Sequence, residues 1–293
     1  MSSLEYLIQL IIGGLSTGCI YSLVGLGFVI IFKSTKVLNL AQGEMMMLGA
    51  YITLTLHKFL GVPFLVAFIL SLVLAYAMGF ALERLFLRKM IGEPIFSVVM
   101  LTVGLGVLLR GLVGLIWTQE EQIMAVPLFG KVLEVSNLSI SYGNLMVIFL
   151  SLLLVLIFAA YYKYSKIGIG MRATATDQES AMIMGIDVTK VFSRSWSYSA
   201  VVSVFGGMVL AGITIITPNM ANFGLKALPA VVLGGIDSVF GVILGGIIVG
   251  LSENLVGGYL GGMAQQITPH LILLIVLVVK PYGLFGMEEI ERV

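Results

Sequence analysis

The chain has 293 residues, of which 59% are hydrophobic and 11% are charged, and its net charge is +1. A soluble domain carries about 25% charged residues, so the composition excludes an ordinary soluble protein and predicts one embedded in a membrane. The near-neutral charge argues against a nucleic-acid partner, and the single cysteine, Cys19, excludes an internal disulfide or a cysteine-based metal cluster.

Eight apolar segments each approach the roughly 20 residues that a membrane-spanning helix needs. In chain order they are 6–32, 37–58, 63–87, 94–117, 144–162, 196–217, 226–256 and 265–280. No basic residue precedes the first segment, and its apolar run is longer than the core of a secretory signal, so we expect a retained span. Segments 37–58 and 226–256 are interrupted by polar residues and glycines, which predicts broken or re-entrant helices.

Glycine is abundant, at 35 residues, and much of it lies inside the apolar segments. Three pairs have the four-residue spacing that lets helix backbones approach closely in a membrane: Gly14 and Gly18, Gly241 and Gly245, and Gly246 and Gly250. This spacing predicts tight helix packing. The expected fold is an all-α polytopic membrane protein with about eight transmembrane segments, forming a single domain over residues 1–293.

The sidedness of the chain follows from its loops, because short cytoplasmic loops are enriched in Lys and Arg. The loop after the third segment contains Arg84, Arg88 and Lys89, and loop 163–194 contains five basic residues. Loop 118–143 has one lysine against three glutamates. We therefore expect the first two loops in the cytoplasm, and the third loop and the N-terminus outside.

Within the second basic loop, the sequence TATDQESAMIMG (174–185) has the signals of a short helix. Thr176 and Glu179 have the spacing of a capping box, in which each side chain bonds the backbone amide of the other residue. Asp177 and Glu179 place negative charge at the positive end of the helix dipole. Gly185 is a typical helix stop.

This loop helix has about eight residues, which is too few for a helix to be stable in isolation. It must therefore pack against something. Ala181, Met182 and Met184 give it an apolar side, and methionine suits a surface that adapts to a partner. The residues leave two alternatives open: the helix lies against its own membrane domain, or it docks on another protein.

Strongly polar residues inside apolar segments are candidates for function, because they are costly at membrane depth. Asn39, Gln42 and Glu44 lie together in NLAQGE, within the second segment. Asp237 follows a glycine pair in the corresponding place of segment 226–256. These residues face a central path, or they cap helix ends near the membrane surface.

Arg110 lies within the fourth segment, where a cation needs an acidic neighbour, a partner subunit or a polar path. Three alternatives stay open: it contacts a substrate carboxylate, it pairs with Glu83, or it pairs with a neighbouring subunit. Glu253 and Asn254, by contrast, come late in segment 226–256 and are expected near the membrane interface.

The sequence has no pattern that indicates catalysis. His57 and His270 are far apart and have no partners at metal-ligand spacing. GVLLRGLVG and GGIDSVFG lack the Gly-Lys-Ser/Thr ending of a phosphate-binding loop. We therefore expect a chain that is not an enzyme and that binds no cofactor of its own.

Four stretches together resemble the branched-chain amino acid permease family of ABC importers, and in particular its H-type subunit. They are the loop GIGMRATATDQESAMIMGIDVTKV, VLNLAQGEMMMLGAYI (37–52), LKALPAVVLGGIDSVFGVILGG (225–246) and the C-terminal KPYGLFG (280–286). LTVGLG, which contains Thr102, resembles the family's Thr-Ile-Gly. The stretches occur in the family's order and span almost the whole chain.

The resemblance implies a multi-pass permease subunit of the bacterial inner membrane, importing branched-chain or related amino acids by alternating access. It implies a second permease, two cytosolic ATPases that bind ATP and Mg²⁺, and an external solute-binding protein as partners. Loop 163–194 would be the cytoplasmic coupling loop. The residues expected to dock on the ATPase are Thr176, Asp177, Glu179, Ala181, Met182 and Gly185, and those expected along the substrate path are Asn39, Gln42, Glu44, Thr102 and Asp237.

Three alternatives remain at this point. A permease of the same family could carry urea, short amides or aromatic acids. A secondary transporter or channel without ATPases would use Glu44 and Asp237 as ion-coupling acids. An assembly subunit would only anchor the ATPase while its partner forms the path.

Overall fold

The computed structural model describes residues 3–127, 129–135 and 138–286. These residues form eleven α-helices and one β-hairpin. The elements are α1 (Ser3–Thr35), α2 (Gln42–Leu54), α3 (Phe64–Leu85), α4 (Ile95–Trp117), β1 (Val132–Val135), β2 (Leu138–Ser141), α5 (Tyr142–Tyr164), α6 (Lys166–Thr176), α7 (Gln178–Ile183), α8 (Val188–Ala211), α9 (Asn222–Gly234), α10 (Val239–Leu260) and α11 (Gly262–Val279). A π-helical turn, Thr55–Phe59, extends α2, and 3₁₀ turns lie at Leu87–Met90 and Pro218–Ala221. The all-α polytopic fold is therefore confirmed.

Six helices in the described ranges are long and apolar enough to cross a membrane: α1, α3 with its 3₁₀ turn, α4, α5, α10 and α11. The expected count of about eight was approximate, for two physical reasons. Segment 196–217 corresponds to α8, whose serine-rich first half lowers its hydropathy. Segment 37–58 begins with a turn before the short helix α2, and segment 226–256 breaks between α9 and α10, so the predicted interruption of both segments is confirmed.

Helix α1 lies at the centre of the bundle. In its most apolar window 83% of residues are buried, against 17% to 39% in the other five spans. Glycines let α1 approach α10 closely. A Cβ atom added to Gly18 would lie 2.7 Å from the carbonyl oxygen of Gly246, which is too close for any side chain. The backbones of Gly250 and Gly18 also meet, while Gly241 and Gly245 pack against α9. The tight packing predicted from the glycine spacing is confirmed.

Gly18→Ala is expected to lower the free energy of unfolding by about 1–3 kcal/mol, because the added methyl group overpacks the contact between α1 and α10. Thermal unfolding of the purified protein in detergent measures this effect. Gly104→Ala is the matched control, since a Cβ atom there has nothing within 4 Å. It should leave stability unchanged or raise it slightly through helix propensity, and an equal loss in both variants would contradict the packing argument.

The two ends of the bundle match the predicted sidedness. At one end, Gly92 in the loop after α3 and Gln178 in α7 line the same cavity, so the two basic loops lie together. At the other end, Lys58 Nζ donates to Gln122 Oε1 at 2.9 Å, and Gln122 pairs with Ile216. The basic end is the cytoplasmic one by the distribution of Lys and Arg.

The short helices α2 and α9 meet head to head in the interior. Each has 13 α-helical residues, or about 20 Å of helix. Even with the five-residue π-helical turn, α2 stays shorter than the roughly 30 Å of a bilayer core. A Cβ atom on Gly43 would lie 3.0 Å from the Cα atom of Gly224, so the two first turns touch. From this meeting point α2 runs outward and α9 runs toward the cytoplasm. Helices α1–α4 and helices α8–α11 thus have the same order of lengths (long, short, long, long), and the two groups run in opposite orientations.

Candidate functional site

The chain enters α2 through a turn that Asn39 closes. The Asn39 Oδ1 atom accepts a hydrogen bond from the amide of Ala41 at 3.1 Å, and its Nδ2 atom donates to Gln42 Oε1 at 3.1 Å. Side-chain bonds to the backbone two residues on are typical of asparagine turns. Asn39 and Gln42 are both fully buried, so the turn lies inside the protein and not at its surface.

Gln42 connects this turn to α8. Its Nε2 atom donates to Ser203 Oγ at 2.6 Å, and Ser199 Oγ donates to its Oε1 atom at 3.0 Å. Sequence reasoning missed both serines, although the serine-rich stretch SRSWSYSAVVS was a usable signal in an otherwise apolar helix. A satisfied buried polar network specifies a unique arrangement, so these side chains fix where α2 begins.

Thr102 holds the same entry segment from the side of α4. Its Oγ1 atom accepts from the amide of Leu40 at 3.1 Å and donates to the carbonyl oxygen of Val99 at 2.7 Å. Thr102 is fully buried. The structure therefore brings Asn39, Gln42 and Thr102 together around one turn in the interior.

Glu44 and Arg110 form an ion pair in a groove beside this turn. Arg110 Nη2 and Glu44 Oε1 are 2.8 Å apart, and the two side chains are 42% and 13% exposed. The groove has a volume of about 810 Å³ and opens between α2, α4 and the start of α9. The alternative pairing of Arg110 with Glu83 is wrong, because Glu83 is at the cytoplasmic end of α3 and pairs there with Arg88 at 3.0 Å.

Asp237 lies elsewhere. It is in the turn between α9 and α10, at the far end of α9 from Gly224, and its charge acts on Lys33 and Tyr162. The structure thus brings four of the five expected path residues together and places Asp237 about one helix length away, toward the cytoplasm. A role along the path stays a prediction for all five.

A second interior ion pair was not anticipated. Lys226 Nζ on α9 and Glu253 Oε1 on α10 are 3.2 Å apart, and Tyr21 on α1 donates to Glu253 Oε2 at 2.6 Å. Glu253 is only 2% exposed, so it is enclosed by protein, and its expected place near the membrane interface stays a prediction. Lys226 lies between apolar residues, whereas Glu253 lies between Ser252 and Asn254, and no spacing in the sequence connects the two charges.

The cytoplasmic loop helix is α7, and Asp177 is its N-cap. Asp177 Oδ1 accepts from the amide of Glu179 at 3.0 Å, whereas Thr176 Oγ1 donates back to the carbonyl oxygen of Arg172 at 3.1 Å. The predicted capping box of Thr176 and Glu179 is therefore wrong, because Thr176 is the last residue of α6. Gly185, with φ of +83°, ends the helix as predicted.

The helix presents a row of apolar side chains to the surroundings. Met182, Ile183 and Met184 are 55%, 85% and 82% exposed, whereas Ala181 is buried against the rest of the chain. The expected apolar side is thus divided, since Ala181 anchors the helix while the methionines point away from it. We call Met182, Ile183 and Met184 the apolar tip.

Asp177→Ala is expected to speed amide exchange in α7 roughly fivefold, which is the usual effect of losing an N-cap. Hydrogen exchange with mass spectrometry measures it. Hydrogen bonds from the Ser180 hydroxyl and the Glu179 amide lower the pKa of Asp177 below its ordinary value of 3.8. The cap is therefore complete at neutral pH and is lost as the pH falls through that lowered pKa.

Thr176→Ala is the control for this prediction, because its hydroxyl belongs to the end of α6. It should leave exchange in α7 nearly unchanged. Faster exchange in α7 for Thr176→Ala than for Asp177→Ala would show that Thr176, and not Asp177, caps the helix.

Comparison with known proteins decides the family. The sequence model of the family described as "Branched-chain amino acid transport system / permease component" matches residues 10–280. The chain belongs to this permease family. The resemblance noted in the sequence is thereby confirmed, and the chain is a multi-pass permease of the bacterial inner membrane type.

Curated relatives match this permease over nearly its whole length. The high-affinity branched-chain amino acid transport system permease protein LivH of Escherichia coli K12 is 29% identical, with 98% of each chain covered. BraD of Pseudomonas aeruginosa, which has the same description, is 26% identical over all of both chains. The probable branched-chain amino acid transport permease protein LivH of Methanocaldococcus jannaschii is 29% identical, covering 91% of this permease and 88% of the relative.

Among solved structures, "PsaBC from Streptococcus pneumoniae in complex with Fab" aligns with 94% of this permease and 92% of that chain. The TM-score is 0.49 and the sequence identity is 15%.

Proposed function

We propose that this permease is one of two membrane subunits of an ATP-driven importer for branched-chain or related amino acids, with two cytosolic ATPases as its motor. The observation that carries the proposal is the apolar tip on a capped helix at the cytoplasmic end. Three exposed apolar side chains in a row are an interaction surface, and α7 is too short to present them without support. The buried Ala181 and the caps at Asp177 and Gly185 provide that support.

The groove favours the presence of a second permease subunit. A cation near the middle of a membrane costs about 2.5–3.5 kcal/mol or more when it faces lipid. Arg110 is the sixteenth of 23 residues in α4 and is 42% exposed in the isolated chain. A second subunit over this face would turn the groove into an enclosed polar path between the two proteins.

The mechanism we propose is alternating access. A loaded binding protein docks at the external end, where the hairpin β1–β2 and the loop after α4 lie. ATP and Mg²⁺ bound by the ATPases drive closure, which reaches the spans through α6 and α7. Thr176, Asp177, Glu179 and Gly185 keep the loop in shape, Met182 contacts the ATPase, and this permease supplies no cofactor.

Within the membrane, the proposed path runs from the groove toward the cytoplasm. Glu44 lines it directly, while Asn39, Gln42 and Thr102 hold the first turn of α2 in place. Asp237 lies at its cytoplasmic end. A path with so few charges does not hold cargo tightly, so most of the selectivity would lie in the binding protein.

Purification of the tagged permease in a mild detergent, followed by mass spectrometry of its partners, tests the proposal. We expect a second permease and two ATPases with phosphate-binding loops, and uptake into liposomes that requires ATP and the binding protein. A permease that purifies alone and transports without ATP would establish a secondary transporter instead. ATP-driven uptake of urea, short amides or aromatic acids, but not of leucine, would keep the importer and change its cargo.

A further inference from the structure

The groove contains an ion pair that differs from the pairs formed by Glu83 and Glu253. The carboxylates of Glu83 and Glu253 are 1% and 3% exposed and accept additional hydrogen bonds, from Ser193 and Tyr21. They are enclosed and satisfied, as structural pairs are. Glu44, in contrast, faces the groove, and within the described part of the chain its carboxylate has hydrogen bonds only with Arg110.

The surroundings of this pair have the size and lining of a small-molecule site. The volume of about 810 Å³ is within the range of roughly 300–1,000 Å³ that ligand pockets occupy. Leu40, Val103, Val107 and Leu225 supply apolar walls, and Gly111 and Gly114 leave open space on the face of α4. One cation and one anion are thus set side by side in a groove whose other lining residues are apolar apart from Gln119.

We propose that Glu44 and Arg110 recognise the two charges of an α-amino acid in transit. Arg110 binds the α-carboxylate with its planar guanidinium, and Glu44 accepts hydrogen bonds from the α-ammonium. The apolar wall takes the side chain. This inference rests on the proposed function and deepens it, since it assigns the two residues that recognise the charges of the amino acid and so distinguish it from neutral urea or amides.

An exchange of partners explains why the pair is suited to passage as well as to recognition. When a zwitterion enters, the contact between Glu44 and Arg110 opens, and each side chain gains the opposite charge of the substrate. The net charge of the groove stays at zero before, during and after the exchange. No unpaired charge is left in the membrane, where it would be costly, and the pair closes again once the substrate leaves.

The test is uptake of L-leucine into liposomes that contain the whole purified complex with its binding protein. Arg110→Gln and Glu44→Gln are each expected to lower the initial rate at least about tenfold, which is the usual loss for a charged hydrogen bond. Assembly and the ATPase activity stimulated by the binding protein should stay near normal. Gln266→Ala, on α11 and outside the groove, is the control and should transport at the normal rate.

The double variant Glu44→Gln/Arg110→Gln separates recognition from a purely structural link. A structural pair tolerates loss of both charges better than loss of one, so the double variant would then recover uptake. Recognition predicts that the double variant is at least as impaired as either single variant. If a single variant fails to assemble, the double variant still distinguishes recognition from a structural link, because it leaves no unpaired charge.

Three outcomes would overturn the inference. They are normal uptake in both single variants, recovery of uptake in the double variant, and a wild-type importer that carries urea in place of leucine. In the last case the importer itself stands and only the assigned substrate class fails. If the wild-type permease binds no ATPases, the proposed function fails and this inference falls with it.

Discussion

A permease in which Met182, Ile183 and Met184 are all serine is expected to insert and fold but to lose its ATPases and all ATP-driven uptake. Full burial of one such side chain contributes about 1.5–3 kcal/mol. Half of that at three positions already exceeds about 2 kcal/mol, or roughly thirtyfold in affinity. The side chains are 55%, 85% and 82% exposed, so their replacement costs the isolated subunit little.

Copurification of the ATPases and uptake into liposomes measure this effect. Ile123→Ser is the matched control, because Ile123 is 71% exposed but lies in the loop after α4, at the external end. It should retain the ATPases in the copurification. Wild-type uptake by the triple serine variant would show that the apolar tip is not the docking surface.

Lys226→Met is expected to lower the free energy of unfolding by about 3 kcal/mol, the low end of the range for breaking a buried ion pair. Glu253 is nearly inaccessible, and without Lys226 its charge retains only the hydroxyl of Tyr21 as a partner among the described residues. The loss is at the low end because Lys226 is 29% exposed in the isolated subunit, so the pair is only partly enclosed.

Denaturation in detergent measures this loss, and the second variant gives its cause. Lys226→Met/Glu253→Gln has no buried charge, yet the glutamine oxygen still accepts from Tyr21. It should recover most of the lost stability, because replacing both partners of a buried pair is often neutral. A double variant no more stable than Lys226→Met would mean that the methylene chain of Lys226, and not its charge, is what matters.

Much of the fold could be predicted because its signals are local. Gly185 ends α7 at the position that the sequence predicts, because the positive φ at this position is readily adopted by glycine. The polar residues in NLAQGE and the glycine pair before Asp237 indicated the interruptions in two apolar segments. The glycine spacing indicated close helix contacts, though not which helices would meet.

What could not be predicted depends on partners that are distant in sequence. Arg110 meets Glu44 across 66 positions, and Gln42 meets Ser203 across 161. Nothing in the sequence around one residue of such a pair identifies the other. The capping box failed for a different reason: Thr176 and Asp177 are adjacent candidates. Thr176 belongs to the preceding helix α6, which the sequence analysis did not predict, and the cap therefore falls to the carboxylate of Asp177.

The head-to-head contact of α2 and α9 has a consequence for biosynthesis. Gly224 lies roughly 180 residues after Gly43, so at about 5–20 residues per second the ribosome takes roughly 10–40 s to reach it. During that delay α2 has neither its partner helix nor the serines of α8 that satisfy Gln42. The Nε2 atom of Gln42 therefore gains its partner Ser203, and the first turn of α2 its contact with α9, only after the C-terminal half of the chain has been made.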